Sequence, residues 1–273
     1  MSRKAIWAIV AIVVVVLLGV AGTQSYLLLR EQLTPDRCYA IAGETKVSLT
    51  PEQAGNAAII VASSFERGLP ERAAIIALAT AWQESGLRNL DYGDRDSLGL
   101  FQQRPSQGWG TPEQIQDPWY SSAKFYEALV KVSDWQTGDI TETAQAVQRS
   151  AYPDAYRKHE ANARALAGAL RGTKPGSFGC TGGDLTPGDT QLLDRVLATV
   201  PGVEASKTGQ QLVLRGTDQL QLWAATQLAL SFTHQVGIES ATVAELTWRI
   251  GPDPAWQTAT AGEADTAILE LTQ

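Results

Sequence analysis

The chain has 273 residues, which allows one or two compact units of roughly 100–150 residues each. With 44% hydrophobic and 19% charged residues it is too apolar for global disorder, and a net charge of -7 argues against a nucleic-acid partner. Residues 1–4 are a short basic tail holding Arg3 and Lys4, and residues 5–22 follow as an uncharged run rich in Ile, Val, Leu and Ala. The run is long enough to cross a hydrocarbon core of about 30 Å, and the basic pair before it favours a cytoplasmic N-terminus. Apolar character resumes at Leu27, Leu28 and Leu29, so residues 5–29 read as a single-pass anchor in the cell membrane, with the rest of the chain outside. A cleaved signal peptide is the competing reading, since Gly19 and Ala21 have the small-residue spacing of a cleavage site. Both readings export the protein, and a disulfide is then the natural state of its only two cysteines, Cys38 and Cys180.

Residues 30–44 are mixed and polar and read as a stalk. From 45 to 171 the signals are helical. Thr50-Pro51-Glu52-Gln53 combines an N-cap threonine, a proline at the first helical position and a glutamine that completes a capping box, and Gly68 ends that helix. Pro70 and Glu71 open the next helix, and Gly86 stands where a left-handed C-terminal cap is expected. Residues 73–82 are apolar nearly all round, the pattern of a buried helix, so Glu84 leaves the core at the helix end. A second Thr-Pro-Glu-Gln at 111–114 and Asp117-Pro118 mark further helix starts, and Thr141 and Asp154 are expected to cap two more. Residues 172–187 are rich in Gly, Pro and Ser and read as a linker. Beyond it, residues 188–273 carry strand-like patterns at 210–215, 242–250 and 267–271 around a helix at 218–234, which describes a small α+β domain.

Cleaving a glycosidic bond needs a proton on the leaving oxygen and stabilisation of an oxocarbenium-like transition state. A carboxyl group at the end of an apolar helix is suited to the first task, because desolvation disfavours its charged form. Steps of four, seven and eleven residues back from Glu84 reach Thr80, Ala77 and Ala73, so its helix face is small and partly apolar, unlike that of an ordinary solvated glutamate. Asp91, Asp94 and Asp96 in the following loop are candidates for a second carboxylate, although a turn-forming acidic loop needs no chemistry to explain it.

Three segments carry a resemblance: Ala81-Trp82-Gln83-Glu84-Ser85-Gly86-Leu87, then Gly99-Leu100-Phe101-Gln102, then Gln148-Arg149-Ser150-Ala151-Tyr152-Pro153. Together they resemble the soluble lytic transglycosylase and goose-type lysozyme superfamily over residues 45–171. The resemblance implies a mainly α, lysozyme-like catalytic domain, followed here by the α+β accessory domain and preceded by the transmembrane helix. It implies Glu84 as acid and then base, with Ser85, Gly99, Leu100, Phe101, Gln102 and Tyr152 lining a glycan cleft. Pro153 stands where the family usually has asparagine. The implied partner is the glycan strand of peptidoglycan, cut at the bond between N-acetylmuramic acid and N-acetylglucosamine by a single-glutamate route, with no cofactor and no metal.

Trp109, between Gly108 and Gly110, is the best candidate for stacking on a sugar face, and Arg104 for a contact with glycan carboxylates or for plain surface cover. Most other aromatics at helical spacing are expected in the core. The C-terminal unit resembles a module that follows such domains in exported proteins, but it lacks the His-x-x-Gly-x-Ala-x-Asp zinc signature of related peptidases, and His234 reads as a helix-end residue. Two further readings stay open: a muramidase hydrolysing the same bond, and a catalytically idle wall-binding component of a membrane or secretion assembly.

Overall fold

In the computed structural model the described residues are 34–148, 155–183, 185–260 and 262–272, with the single positions 7, 16, 19, 22 and 23. The first element after residue 34 is a strand rather than a stalk. Strand β1 (Arg37–Ala42) turns at Gly43 into β2 (Thr45–Leu49). Its other edge pairs antiparallel with β3 (Phe178–Thr181), inside the stretch expected to be a linker. Cys38 and Cys180 face each other in that register and are disulfide-bonded, closing a loop across 142 positions. Closing so long a loop contributes roughly 5 kcal/mol in the chain-entropy account.

Among the described residues, six α-helices lie between β2 and β3. Helix α1 (Pro51–Glu66) begins with the expected capping box: Thr50 Oγ1 accepts from the Gln53 amide, and Gln53 Oε1 accepts from the Thr50 amide. Helix α2 (Glu71–Ser85) is buried without a break from Ala73 to Ala81 and ends at Gly86 in the left-handed conformation, as its sequence pattern predicts. Around it pack α1, α4 (Pro118–Leu129), α5 (Ile140–Gln148) and α6 (Glu160–Leu170). The short α3 (Pro112–Ile115) repeats the capping box with Thr111 and Gln114. The start of α5 is capped by Asp139, which accepts from the Thr141 and Glu142 amides, and not by Thr141.

The remaining elements are α7 (Gln191–Leu197), β4 (Glu204–Thr208), β5 (Gln211–Arg215), α8 (Gln219–Leu230), α9 (Thr233–Val236), β6 (Ile238–Val243), β7 (Leu246–Arg249), β8 (Gln257–Thr258) and β9 (Thr266–Leu271). The strands form one antiparallel sheet in the order β4-β5-β9-β6-β7-β8. The single strand expected over 242–250 is a hairpin, because Ala244 takes a positive φ of 49° and reverses the chain. The two halves are joined through a buried amide rather than a free tether. Gln227 on α8 accepts from the Ser177 and Phe178 amides and donates to the Ala169 and Lys174 carbonyls, at 2.7 to 3.1 Å. Arg195 on α7 also stacks 4.1 Å over the Trp119 ring of α4.

The expected fold class needs correction in two respects. A transmembrane span needs about 20 consecutive apolar residues. Among the described residues no helix is long and apolar enough to cross a membrane, and the longest, α1, has 16 residues and includes Glu52 and Asn56. A single N-terminal span is therefore not supported; most of residues 5–22 lie outside the described residues. The expected mainly helical domain also carries the sheet β2-β1-β3, so the molecule is built on two antiparallel sheets.

Candidate functional site

Glu84 lies in the last turn of α2, and the end of that helix is held from several sides. The Gly86 amide returns to the Trp82 carbonyl, the 5→1 bond of an αL cap, and the Leu87 amide reaches back to the Ala81 carbonyl. Leu87 itself sits at φ 60°, a conformation that costs a non-glycine residue about 1–2 kcal/mol. Side chains of α1 grip the turn: Gln53 donates to the Gly86 carbonyl at 2.7 Å and Asn56 to the Leu87 carbonyl at 2.9 Å. The residue that closes the capping box of α1 thus also fixes the end of α2.

The Glu84 side chain is half-buried, and its Oε1 accepts a 2.6 Å hydrogen bond from the hydroxyl of Tyr156. The Gln148 side chain at the end of α5, which donates to the Phe101 carbonyl, also lies close enough to favour the charged carboxylate. Burial pushes the Glu84 carboxyl above its ordinary value of 4.5, and the two donors only partly oppose that shift. Among the described residues no cation pairs with it. A carboxyl group held by neutral donors in a desolvated place is suited to carrying a proton at mild pH.

Tyr156 is the residue that the sequence reading missed. The dipeptide Ala-Tyr occurs twice, at 151–152 and at 155–156, and the resemblance points to the first. Tyr152 lies outside the described residues. Tyr156 is almost completely buried and opens the 3-10 turn Arg157–His159. That turn is moored at both ends. Arg157 pairs with Asp139 at 3.3 Å, and His159 stacks on Trp82 and meets the Gln83 side chain at 3.1 Å.

Ser85, Leu100 and Phe101 are buried and form the wall behind Glu84 rather than a surface open to a ligand. Ser85 lies on the inward face of α2, where its hydroxyl is 2.8 Å from the Leu100 carbonyl and 3.0 Å from the Ala81 carbonyl. Leu100 and Phe101 turn into the core, with Phe101 stacked on Phe125 at 4.6 Å between ring centres. Their backbone is what reaches the site, since the Phe101 carbonyl accepts from Gln148 at 2.6 Å. Gln148 opens the segment Gln148–Pro153, and no spacing rule in the sequence marks it out.

Gly99 adopts φ 75°, and a Cβ there would come within 2.7 Å of the Ile115 carbonyl, so both the conformation and the space require glycine. Gln102, partly exposed at φ 48°, donates to the Tyr92 and Gly99 carbonyls and braces the loop. Arg104 is spoken for by the same loop: its Nε lies 2.7 Å from Asp96, whose other oxygen accepts from the Ser106 amide at 2.8 Å. These donors, Arg104 first, hold Asp96 well below the usual carboxylate range. Asp91 and Asp94 are exposed. Trp109 is half-buried and lines a cleft of about 480 Å³ that Gln148 also lines.

Elsewhere, the Cys38 and Cys180 sulfurs and one His234 ring nitrogen lie within 4.8 Å of one another. Both sulfurs are committed to the disulfide, and the His234 ring, 3.7 Å from Asp36, packs against it. No protein-family model matches the chain, and no curated protein matches it either.

Proposed function

We propose that this protein is a peptidoglycan lytic transglycosylase that cleaves the β-1,4 bond between N-acetylmuramic acid and N-acetylglucosamine, with Glu84 as the single acid/base. The observation that carries this reading is the setting of Glu84: a half-buried carboxyl at a fixed helix end, raised by burial and contacted by the neutral donors Tyr156 and Gln148. In the first step the Glu84 carboxyl gives its proton to the glycosidic oxygen as the bond to the muramic C1 breaks. N-acetylglucosamine then leaves with a free 4-hydroxyl. In the second step the Glu84 carboxylate takes the proton of the muramic 6-hydroxyl as that oxygen bonds C1, giving the 1,6-anhydro product and restoring the acid. Tyr156 and Gln148 favour the carboxylate between the steps, when it is charged.

The route needs one carboxyl group. Asp96, the aspartate nearest in the loop to the Gly-Leu-Phe-Gln turn, is engaged by Arg104 and Ser106. The disulfide fits an exported wall enzyme. Incubation of the full chain with purified sacculi is expected to release 1,6-anhydromuropeptides, read by mass spectrometry. Products with only reducing ends would make the enzyme a muramidase, and sacculus binding without any soluble product would make it an idle wall-binding protein.

A further inference from the structure

The disulfide end of the molecule gathers more metal-binding chemistry than a crosslink needs. Cys38 on β1 and Cys180 on β3 stand opposite each other, and one ring nitrogen of His234 on α9 lies within 4.8 Å of both sulfurs. The His234 side chain is only 8% exposed. Its Nδ1 faces the Asp36 carboxylate at 3.7 Å, while its Nε2 is buried and, among the described residues, has no hydrogen-bond partner. A metal-ligating histidine has this arrangement: one nitrogen turned to a carboxylate that fixes the tautomer and the ring, the other left for the ion. Two cysteines and a histidine are a ligand set that suits zinc.

The disulfide and a metal exclude each other, because the thiolate is the ligand. We infer that Cys38, Cys180 and His234 form a zinc site in the reduced chain, with Asp36 orienting the histidine and the fourth position left to water. A dithiol reductant supplies two electrons: the protein S–S bond breaks, the two dithiol protons pass to Cys38 and Cys180, and the dithiol closes to a disulfide of its own. Zn²⁺ then displaces both cysteine protons to solvent as two Zn–S bonds form, and His234 adds through Nε2 as neutral imidazole. Zinc bonds sulfur at about 2.3 Å and imidazole nitrogen at about 2.0–2.1 Å in tetrahedral geometry, which sets its ligands roughly 3.5–3.8 Å apart. The β1–β3 ladder also pairs Arg37 with Thr181 and Tyr39 with Gly179, so both cysteines keep their places when the bond opens. From a cluster 4.8 Å across, the ring nitrogen then has to close by about 1 Å. Gln235, next to the histidine, donates to the Pro51 carbonyl at 2.8 Å and anchors α9. Asp36, 62% exposed, marks the side from which the ion enters. The ion replaces the covalent clasp between β1 and β3 and ties both to α9, independently of the Glu84 chemistry.

The test reduces the full chain in denaturant and refolds it by dilution with Zn²⁺, with Co²⁺ or with a chelator, beside the disulfide-bonded chain treated alike without reductant. The reduced chain should retain one zinc through gel filtration and melt at a higher temperature than it does with chelator, and the disulfide-bonded chain should retain none. Co²⁺ in place of zinc should give the sulfur-to-metal charge-transfer absorption that requires thiolate ligands. Asp36→Asn should weaken zinc binding by about 10–100-fold, the scale of losing a partner that orients a metal-bound histidine, and His234→Ala should weaken it further. Both variants keep the cysteines, so circular dichroism of their disulfide-bonded forms checks that they fold. If His234→Ala does not fold, the exposed Asp36 carries the test of the histidine, and full affinity in Asp36→Asn overturns the inference. So does a reduced chain that retains no zinc or gains no thermal stability from it. Cobalt bound without thiolate charge transfer, zinc held equally by the disulfide-bonded chain, or undiminished binding by a folded His234→Ala variant would each overturn it as well.

Discussion

Two carboxylates twelve positions apart are treated in opposite ways by this fold. Glu84 stands at the end of a helix buried on all sides, receives neutral donors, and is shifted upward by burial. Asp96 stands in an open loop, receives the Arg104 guanidinium and the Ser106 amide, and is shifted downward by them. The contrast teaches that neither the residue type nor its closeness to the motif decides the role. What decides it is whether the surroundings favour the proton or the charge. A group that favours the proton can deliver one, while a group locked as an anion beside arginine ties a loop together.

The strongest way to break that contrast is to remove the proton carrier. Glu84→Gln keeps shape and hydrogen-bonding capacity, so the fold should persist by circular dichroism while sacculus cleavage falls by about 10²–10⁴-fold, the usual scale of general acid–base catalysis. Retained cleavage would move the chemistry to another residue. Tyr156→Phe is the next largest. The tyrosine hydroxyl stabilises the charged form, so its loss should raise the Glu84 pKa further and carry the basic limb of the kcat/KM profile to higher pH. Looser placement of the carboxyl should also lower kcat/KM by about tenfold. A merely structural tyrosine would lower the rate without moving the limb.

Gln148→Leu probes the remaining donor. It leaves the Phe101 carbonyl without its 2.6 Å partner, which should cost about 1–3 kcal/mol of stability in denaturant melts, and it should move the same basic limb upward. A stability loss with an unmoved limb would show that Gln148 supports the wall alone.

Local rules made a good part of this site legible. The capping boxes at Thr50 and Thr111, the left-handed Gly86 and the buried run of α2 each follow from spacings within one or two helical turns, and these are what place Glu84. The disulfide followed from counting cysteines. Contacts made across long separations were not legible. Strands β1 and β3 read as stalk and linker because each is short and finds its partner only across the whole helical half. The same holds at the site: Tyr156 reaches Glu84 across 72 positions, and nothing local separates Ala155-Tyr156 from the earlier Ala151-Tyr152. Leu100 and Phe101 were assigned to a cleft because a motif names residues without saying which way they point, and their apolar side chains took the core. The apolar N-terminal run is a different case, since most of residues 5–22 lie outside the described residues, among which no helix is long and apolar enough to cross a membrane.

The smallest expected effect is on stability, and it separates the two carboxylates by sign. Because the folded-state pKa of Glu84 is raised, its contribution to stability is fully present below its ordinary 4.5 and is lost as pH rises through the folded value. At neutral pH the folded chain therefore carries an unfavourable charge, and Glu84→Gln should raise Tm there, a gain that disappears in acid. Asp96 runs the other way. Its folded-state pKa is lowered, so its contribution is present above its ordinary 3.8 and is lost as pH falls through the folded value. Asp96→Asn should lower Tm at neutral pH, by less than the Glu84 variant raises it because the loop is open to solvent, and the deficit should shrink in strong acid. Melting both variants from neutral to acid pH tests the pair together. Deviations from wild type that start with opposite signs and converge toward zero would support the two opposed environments, whereas a Glu84→Gln variant destabilised at neutral pH would mean that the carboxylate is stabilised in place and is poorly suited to be the acid.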